Sequence, residues 1–321
     1  MRRRKDKPGA VLMPALLAGI TVIFICSAIV VVFISGASLS RGEFFSFSNF
    51  LGIFGTFAPK AAAAAAIVLT LRAGGADLSG FGWIGVYSVV IAMGSSSAVG
   101  LLTAVGISVI IGAFNGALIA FAKAPGMLVT ALVGLAGNGV KQILKAFQAR
   151  PVLPQYSLPS GKAEYWINAI YLVVVVVASV IALRYFADDG KVGWNGIRRN
   201  KYRVFLMYII SAVLFAISAN MYTIRLGLGE IGVGPRFFEC AAIASCVIGM
   251  RHLTKRQLTV FAAMLPALMI SIMNNMLVWM HVNSFNQECI NFVVMITLVV
   301  AAVLLTVRER KTRRSVRARV K

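Results

Sequence analysis

One segment of the sequence matches a nucleotide-binding pattern by its letters. Residues 227–232 fit G-x-G-x-x-G, which binds a dinucleotide when a strand precedes it and a helix follows it in a βαβ unit. A long apolar stretch precedes it here, so we interpret the glycines as a flexible turn. The chain contains no G-x-x-x-x-G-K-[ST] loop, so it does not hold ATP phosphates by that route.

Residue clusters that catalysis or metal binding would need are also missing from the sequence. His252 and His281 have no ligand-spaced partner, and Asp188-Asp189 lies in a polar stretch typical of a solvated surface. No acid, base or metal cluster converges on one segment. The four cysteines lie in apolar surroundings without C-x-x-C spacing, as small core residues do: Cys26, Cys240, Cys246 and Cys289. The sequence therefore predicts no enzyme, no metal site and no cofactor bound by this chain.

Long runs without charge define the class of protein. Residues 78–122 contain no charged side chain, and at about 1.5 Å per helical residue they could cross a hydrocarbon core of about 30 Å twice. Similar charge-free runs occur at 8–40, 165–183, 204–224, 257–287 and 289–307. Hydrophobic residues make up 59% of the chain and charged residues 13%, so we predict an all-α, polytopic integral membrane protein.

The apolar runs divide into about ten predicted transmembrane helices of ordinary length. The third and eighth are short for a full crossing, so we expect broken or partial helices among them. The predicted spans are 11–36, 48–72, 83–95, 98–122, 126–147, 165–186, 203–222, 237–250, 257–280 and 287–307.

The basic residues give the orientation. The net charge of +22 is concentrated in 1–7, 198–203, 251–256 and 308–321, and basic loops remain on the cytoplasmic side of a membrane. We therefore predict a cytoplasmic N-terminus (1–10), a transmembrane domain (11–307) and a cytoplasmic tail (308–321). Such residues usually face anionic lipid, which makes lipid a partner and argues against nucleic acid.

Ionisable residues inside membrane segments are costly and usually functional. Three qualify here: Lys60, Asp77 and Glu239. Asp77 follows glycines that interrupt an apolar helix, and such a break requires protein or a water-filled cavity to satisfy its backbone. Either Asp77 caps the next helix and holds the break in shape, or it contacts a solute. Lys60 either lies buried or extends towards the membrane surface.

Amides and small residues within the spans predict helix contacts. Asn115, Asn274 and Asn275 either bridge helices or face a polar pathway. The alanines at 61–66 favour close packing. The same holds for the small residues along the fourth span, Ala104, Gly106, Gly112, Ala113, Gly116 and Ala117. Prolines at 151, 154 and 159 predict a non-helical external loop over 150–161.

Several motifs together resemble the permeases of sugar-type ABC importers, the ribose, xylose and galactose group. The first is Ser48-Asn49 leading into Gly74-Gly75-Ala76-Asp77-Leu78-Ser79, and the second is Gly112-Ala-Phe-Asn115-Gly116 followed by Lys123-Ala-Pro125 and Val129-Thr130. The later matches are Arg225-Leu-Gly227, Phe238-Glu239 and Asn274-Asn275 with residues 282–287. The resemblance covers residues 45–307.

The resemblance implies the permease subunit of an ATP-driven importer for a sugar or sugar-like solute, in the inner or plasma membrane. ATP would be bound by partner ATPase subunits, and an extracytoplasmic binding protein would deliver the solute. Residues of the pathway or gate would be Asp77, Ser79, Asn115, Asn274, Asn275, Lys60 and Glu239. The ATPase would contact Asp188, Trp194, Arg198 and Arg199, and the binding protein Arg225, Glu230 and Arg236.

The chain departs from the family pattern at several positions, and two of these departures bear on function. Lys60 stands where an apolar or small residue is expected, and the cytoplasmic stretch 187–194 is shorter than the ATPase-docking loop of the family. A permease dimer is expected, homo- or heterodimeric, and the short loop favours the less ATPase-engaged half of a heterodimer. The alternative is a secondary transporter, in which ions or protons acting on Asp77 or Glu239 drive exchange.

We expect both termini to be cytoplasmic, because Lys and Arg are concentrated in 1–7 and 308–321. Single cysteines placed at Lys5 and Lys321 should react with a membrane-impermeant maleimide only after the cells are opened. Labelling of either position in intact cells would contradict an even number of spans.

Overall fold

The computed structural model of the chain describes residues 46–73, 75–147, 152–186, 200–229, 260–279, 282, 283 and 286. These residues form seven helices and no extended strand, which confirms the predicted all-α class. The helices are α1 (Phe47–Ala73), α2 (Gly80–Met93), α3 (Ser97–Ala120), α4 (Gly126–Phe147), α5 (Lys162–Phe186), α6 (Lys201–Leu226) and α7 (Val260–Trp279). The predicted spans 11–36, 237–250 and 287–307 and both basic termini lie outside the described residues.

Five of the described helices are long and apolar enough to cross a membrane: α1, α3, α4, α5 and α6. Helix α2 has 14 residues and is therefore about 21 Å long, too short for a hydrocarbon core of about 30 Å. The expectation of a short third span is thus confirmed. Its N-terminal end, on the side predicted to be cytoplasmic (called the inner side below), lies within the depth of the longer helices around it.

Helix α1 is enclosed by protein on all sides over most of its length. Its alanines 61–66 are at most 1% exposed, and the helix packs against α5, α6 and α7. Alanine has the highest helix propensity and lets neighbouring backbones approach, so this segment is both a stable helix and a close-packing surface. At Pro59 the Ser218 hydroxyl of α6 donates a hydrogen bond to the proline carbonyl at 2.9 Å.

Helix α6 lies at the centre of the described helices and contacts α1, α2, α3 and α5. Its contact with α3 depends on glycine: a Cβ on Gly112 would lie 2.8 Å from the Tyr208 carbonyl oxygen, and one on Gly116 would lie 2.9 Å from the Phe205 carbonyl oxygen. The small-residue prediction was wrong for Gly106, which is exposed and has no described residue within 4 Å of the place of its missing Cβ. The spacing of the small residues alone does not distinguish the face of α3 that packs on α6 from its exposed face.

A short backbone link joins several helices at the ends that the predicted orientation places outside, called the outer ends below. Val152 and Gly229 form an antiparallel bridge with N···O distances of 2.9 and 2.8 Å, and the Tyr156 hydroxyl donates to the Ile91 carbonyl of α2 at 2.8 Å. Partial burial raises the pKa of Tyr156. Gly227 ends α6 in the left-handed conformation (φ 71°), which favours glycine. Residues 152–161 are non-helical apart from the turn at Gly161, as the prolines predict.

Large apolar side chains cover the outward faces of α3, α4 and α5. Leu102, Ile110, Leu132 and Val173 are each more than half exposed. Their helices bury mostly small residues on the inward face. This distribution suits contact with lipid or with another membrane subunit.

Adding one methyl group at Gly112 should destabilise the fold. The new Cβ would meet backbone atoms of Tyr208 and Ile209 at 2.8 Å, so α3 and α6 would have to separate. We expect Gly112→Ala to cost about 1–3 kcal/mol and to lower the thermal unfolding temperature of the purified protein in detergent.

Gly106→Ala is the matched control, because it lies on the same helix with open space around it and gains helix propensity. An unchanged unfolding temperature for Gly112→Ala, or an equal fall for both variants, would contradict close packing at Gly112.

Candidate functional site: the break between α1 and α2

The backbone between α1 and α2 leaves the helical conformation within the depth of the membrane helices. Residues 75–79 are irregular and contact α6 at Tyr208 and Ser211. These two lie about 10–15 Å from the inner end of α6 and more than about 20 Å from its outer end at 1.5 Å per residue. At such depth each unpaired backbone group is costly, because the hydrocarbon offers no hydrogen-bond partner.

Four of the five amide groups of the break donate to neighbouring oxygens, three of them on side chains. Thr70 provides two of these oxygens: its carbonyl accepts from Gly75 N–H at 3.1 Å and its hydroxyl from Asp77 N–H at 3.0 Å. The Thr130 hydroxyl of α4 accepts from Leu78 N–H at 3.1 Å. The carboxylate of Asp77 accepts from Ser79 N–H at 2.9 Å.

The carbonyl groups of the break are bonded in the same manner. The Tyr208 hydroxyl donates to the Gly75 carbonyl at 3.1 Å. The Thr130 hydroxyl lies 3.1 Å from the Ala76 carbonyl and 2.9 Å from that of Gly126, so its one proton is shared between them. The break is therefore attached to α4 and α6 as well as to α1.

Asp77 is 1% exposed and uses its carboxylate within the break. Besides the Ser79 amide, the carboxylate accepts from the Ser79 hydroxyl at 2.6 Å and lies 3.5 Å from the Ser211 hydroxyl. This is the geometry expected if Asp77 holds the break in shape. Ser79 occupies the N-cap position of α2 but makes no side-chain cap, because its hydroxyl faces Asp77. A direct contact of either residue with a solute stays a prediction.

Glycines allow the break to lie against α4 and α6. A Cβ on Gly75 would be 3.1 Å from the Tyr208 hydroxyl and 3.3 Å from the Gly126 Cα, and one on Gly80 would be 2.9 Å from the Phe215 ring. Side chains at these positions would displace the groups that satisfy the backbone. The glycines are therefore part of the same arrangement as the threonines and the tyrosine.

Asn115 lies fully buried on α3, and neither its amide nitrogen nor its amide oxygen has a hydrogen-bond partner among the described residues. It sits between Gly112 and Gly116, which pack on α6 near Tyr208 and Phe205. A buried unpaired amide costs about 1–3 kcal/mol. Asn115 is therefore the one predicted pathway residue near this level that has hydrogen-bonding capacity left over for a ligand or water.

The two remaining predicted asparagines lie on α7. Asn275 exchanges amide hydrogen bonds of 2.8 and 3.2 Å with Asn49 of α1, and the Trp279 indole donates to Asn49 at 3.0 Å. Asn275 thus bridges two helices at their outer ends, one of the two predicted alternatives. Asn274 is partly buried, and its carbonyl oxygen has no partner.

Lys60 and Arg225 differ in their surroundings. Lys60 is 9% exposed in the middle of α1, which favours burial over extension to the membrane surface. Arg225 pairs with Glu164 at 3.3 Å near the outer ends of α6 and α5, and its side chain is 31% exposed. The guanidinium approaches α1 closely enough that a Cβ on Gly55 would meet its Nε at 2.9 Å. Arg225 therefore links three helices, and its predicted contact with a binding protein stays a prediction.

The structure brings Asp77 and Ser79 together and leaves the other candidates dispersed. Lys60 is about 25 Å along the chain from the break at 1.5 Å per residue, and Asn275 is at the outer ends of the helices. Glu239, Asp188, Trp194, Arg198, Arg199, Glu230 and Arg236 lie outside the described residues. No group of three metal-ligating side chains occurs in the part of the chain that the structure describes.

Sequence reasoning assigned no structural role to three residues that matter to this region. Thr130 and Tyr208 carry ordinary signals for membrane helices, and nothing local indicates that they bond to a segment far away in the chain. Lys141 of α4 could have been found, since it is a cation within a predicted span. Its ammonium donates to the Phe81 carbonyl in the first turn of α2 at 2.7 Å, which adds a contact between α2 and α4.

Comparisons with known proteins support the resemblance seen in the motifs. The chain is 32% identical to the probable ABC transporter permease protein YphD of Escherichia coli over 37% of its length and 35% of that protein. It is 26% identical to the probable ABC transporter permease protein y4mJ of Sinorhizobium fredii over 75% of the chain and 77% of that protein. It is 22% identical to the ribose import permease protein RbsC of Haemophilus influenzae over 84% and 90%.

The first of these matches spans about a third of the relative, whereas the other two span most of both chains. No protein-family model and no solved structure matches the chain. All three relatives are ABC transporter permeases, which confirms the resemblance predicted from the motifs.

Removing the Thr130 hydroxyl should destabilise the break. Thr130→Val leaves the Leu78 amide without an acceptor at membrane depth, so we expect a loss of about 1–3 kcal/mol and a lower thermal unfolding temperature in detergent. Thr130→Ser retains the hydroxyl and should restore most of the stability.

Thr103→Val is the matched control, because the Thr103 hydroxyl is exposed and donates only to the Val99 carbonyl of its own helix. Equal unfolding temperatures for Thr130→Val and Thr130→Ser would show that the hydroxyl does not support the break.

Proposed function

We propose that this chain, whose curated relatives are ABC transporter permeases, is the membrane-spanning permease subunit of an ATP-driven importer for a sugar or sugar-like solute. The observation that carries the proposal is the similarity to a ribose import permease over 84% of the chain. The intramembrane break at 75–79 supports it, since irregular backbone at membrane depth is typical of transport pathways.

The break gives the proposed transporter a place at which helices can change their relative positions. Its hydrogen bonds come from α1, α4 and α6, so a movement of α4 relative to α6 must alter the backbone between them. Helix α2 starts at this point, and its first turn is bonded to α4 through Lys141. In this proposal Asp77 and Ser79 hold the break, and the free amide of Asn115 faces the polar route that opens beside it.

The chain would perform no chemistry of its own in this mechanism. ATP would be bound and hydrolysed by ATPase subunits on the cytoplasmic face, near Asp188, Trp194, Arg198 and Arg199. A solute-binding protein would dock outside near Arg225, Glu230 and Arg236. Of these residues the structure describes Arg225, which lies partly exposed in the last turn of α6, at the end that the predicted orientation places outside.

A second permease would complete the pathway, in a homo- or heterodimer in the inner or plasma membrane. The apolar outward faces of α3, α4 and α5 suit either that subunit or lipid. We propose the heterodimer, because the short 187–194 stretch makes this chain the less ATPase-engaged half.

Affinity purification of the tagged chain from cells that express it naturally should recover ATPase subunits and a second, different permease. The complex should then be reconstituted in vesicles together with its binding protein. It should transport sugar only when ATP is supplied on the side of the membrane that carries the ATPase subunits. A hydrolysis-deficient ATPase subunit is the matched control.

Recovery of the chain by itself, with uptake driven by a proton gradient in ATP-free vesicles, would contradict the importer and support the secondary transporter. Recovery of ATPase with two copies of this chain and no other permease would contradict the heterodimer alone.

A further inference from the structure

Lys60 is the middle residue of α1, which has 27 residues, and therefore lies about 20 Å from either end of the helix. A lysine side chain extends about 6 Å, so it cannot place its ammonium at either membrane surface in the way that residues near helix ends do. The charge is held in the interior of the protein.

The immediate surroundings of Lys60 provide little that would satisfy a cation. Residues 61–66 are all alanine and buried, and their carbonyls belong to the hydrogen bonds of the helix. The preceding carbonyl, that of Pro59, already accepts from Ser218. Among the residues that the structure describes, Lys60 has no hydrogen-bond or ion-pair partner.

The acidic residues of the described segments are occupied elsewhere. There are two, Asp77 and Glu164. Asp77 accepts hydrogen bonds from Ser79 inside the break, and Glu164 pairs with Arg225 at the outer ends of α5 and α6. Neither is available as a counter-ion for Lys60.

Lys141, the second buried lysine, has a structural role in the same protein. Lys141 is 8% exposed, as enclosed as Lys60, but its ammonium donates to the Phe81 carbonyl at 2.7 Å and thereby joins α4 to α2. Lys60 makes no comparable contact with the described residues. An intramembrane cation without such a structural bond has a functional role as its default explanation.

We propose that Lys60 binds an anionic group of the transported solute, a carboxylate or a phosphate, so that the importer takes up an acidic sugar rather than a neutral one. The proposal rests on the proposed function and refines its substrate class. An ammonium in a low-dielectric interior attracts an anion far more strongly than in water, and charge-assisted hydrogen bonds are the strong ones. Because α1 is enclosed on all sides, the anion reaches Lys60 when the helices around α1 separate during transport.

The test compares acidic sugars with their neutral counterparts on the purified full chain in lipid nanodiscs. The probes are galacturonate against galactose and ribose 5-phosphate against ribose. Thermal unfolding is followed for the wild type, Lys60→Met and Lys60→Arg, with Lys145→Met as the control because Lys145 is exposed on α4. This measurement needs neither ATP nor the partner subunits, so its outcome is separate from that of the importer test.

At least one acidic sugar should raise the unfolding temperature of the wild type, Lys60→Arg and Lys145→Met, at concentrations at least tenfold below those at which its neutral counterpart acts. The shift should disappear in Lys60→Met. In the reconstituted complex, Lys60→Met should lower the ratio of acidic to neutral sugar uptake by tenfold or more.

Three results would overturn the proposal. One is an equal shift for acidic and neutral sugars, or none for any acidic sugar. Another is an acid-dependent shift that Lys60→Met retains. The third is a fall in the unfolding temperature of Glu239→Gln, without any sugar, that is absent when Lys60 is already replaced by Met, which would show that Lys60 has a carboxylate of the protein as its partner. Failure of ATP-dependent uptake of every sugar, with the nanodisc shift intact, would count against the importer and not against the anion site.

Discussion

The need to hydrogen-bond five residues of irregular backbone at membrane depth governs the arrangement of the helices. A regular helix satisfies its own backbone hydrogen bonds, so neighbouring helices could slide along one another. Residues 75–79 cannot satisfy their own and depend on groups of other segments. Thr70, Thr130, Tyr208 and Asp77 provide the missing partners, and three of them come from different helices. The break therefore fixes the axial positions of α1, α4 and α6 relative to each other.

Glycine and alanine make this arrangement possible by allowing close approach. The start of α4 lies against Gly75 through Gly126, and α3 lies against α6 through Gly112 and Gly116. Larger residues at these positions would separate the helices by more than a hydrogen bond tolerates. The small residues contribute little energy themselves, but they bring the bonded groups within reach.

The sequence predicted the helices well because charge and length alone determine them. The seven described helices correspond to predicted spans within a few residues at each end, and the short α2 follows from the closely placed breaks at Gly74-Gly75 and Gly94. The break itself was predicted from its glycines and Asp77. The groups that hold the break were not predicted, because Thr130 and Tyr208 lie 52 and 133 residues along the chain from the backbone groups they bond to. The burial of Lys60 was left open for the same reason, since it depends on helices distant in sequence.

The link at the outer surface has a mechanical consequence. Val152, Tyr156 and Gly229 join the loops that precede α5 and follow α6 to the outer end of α2. Helix α2 is about 21 Å long, and its N-terminal end follows the break directly. A force applied to these loops is therefore transmitted along α2, as along a lever, to the irregular backbone at 75–79, which gives the loops direct mechanical access to the interior of the protein.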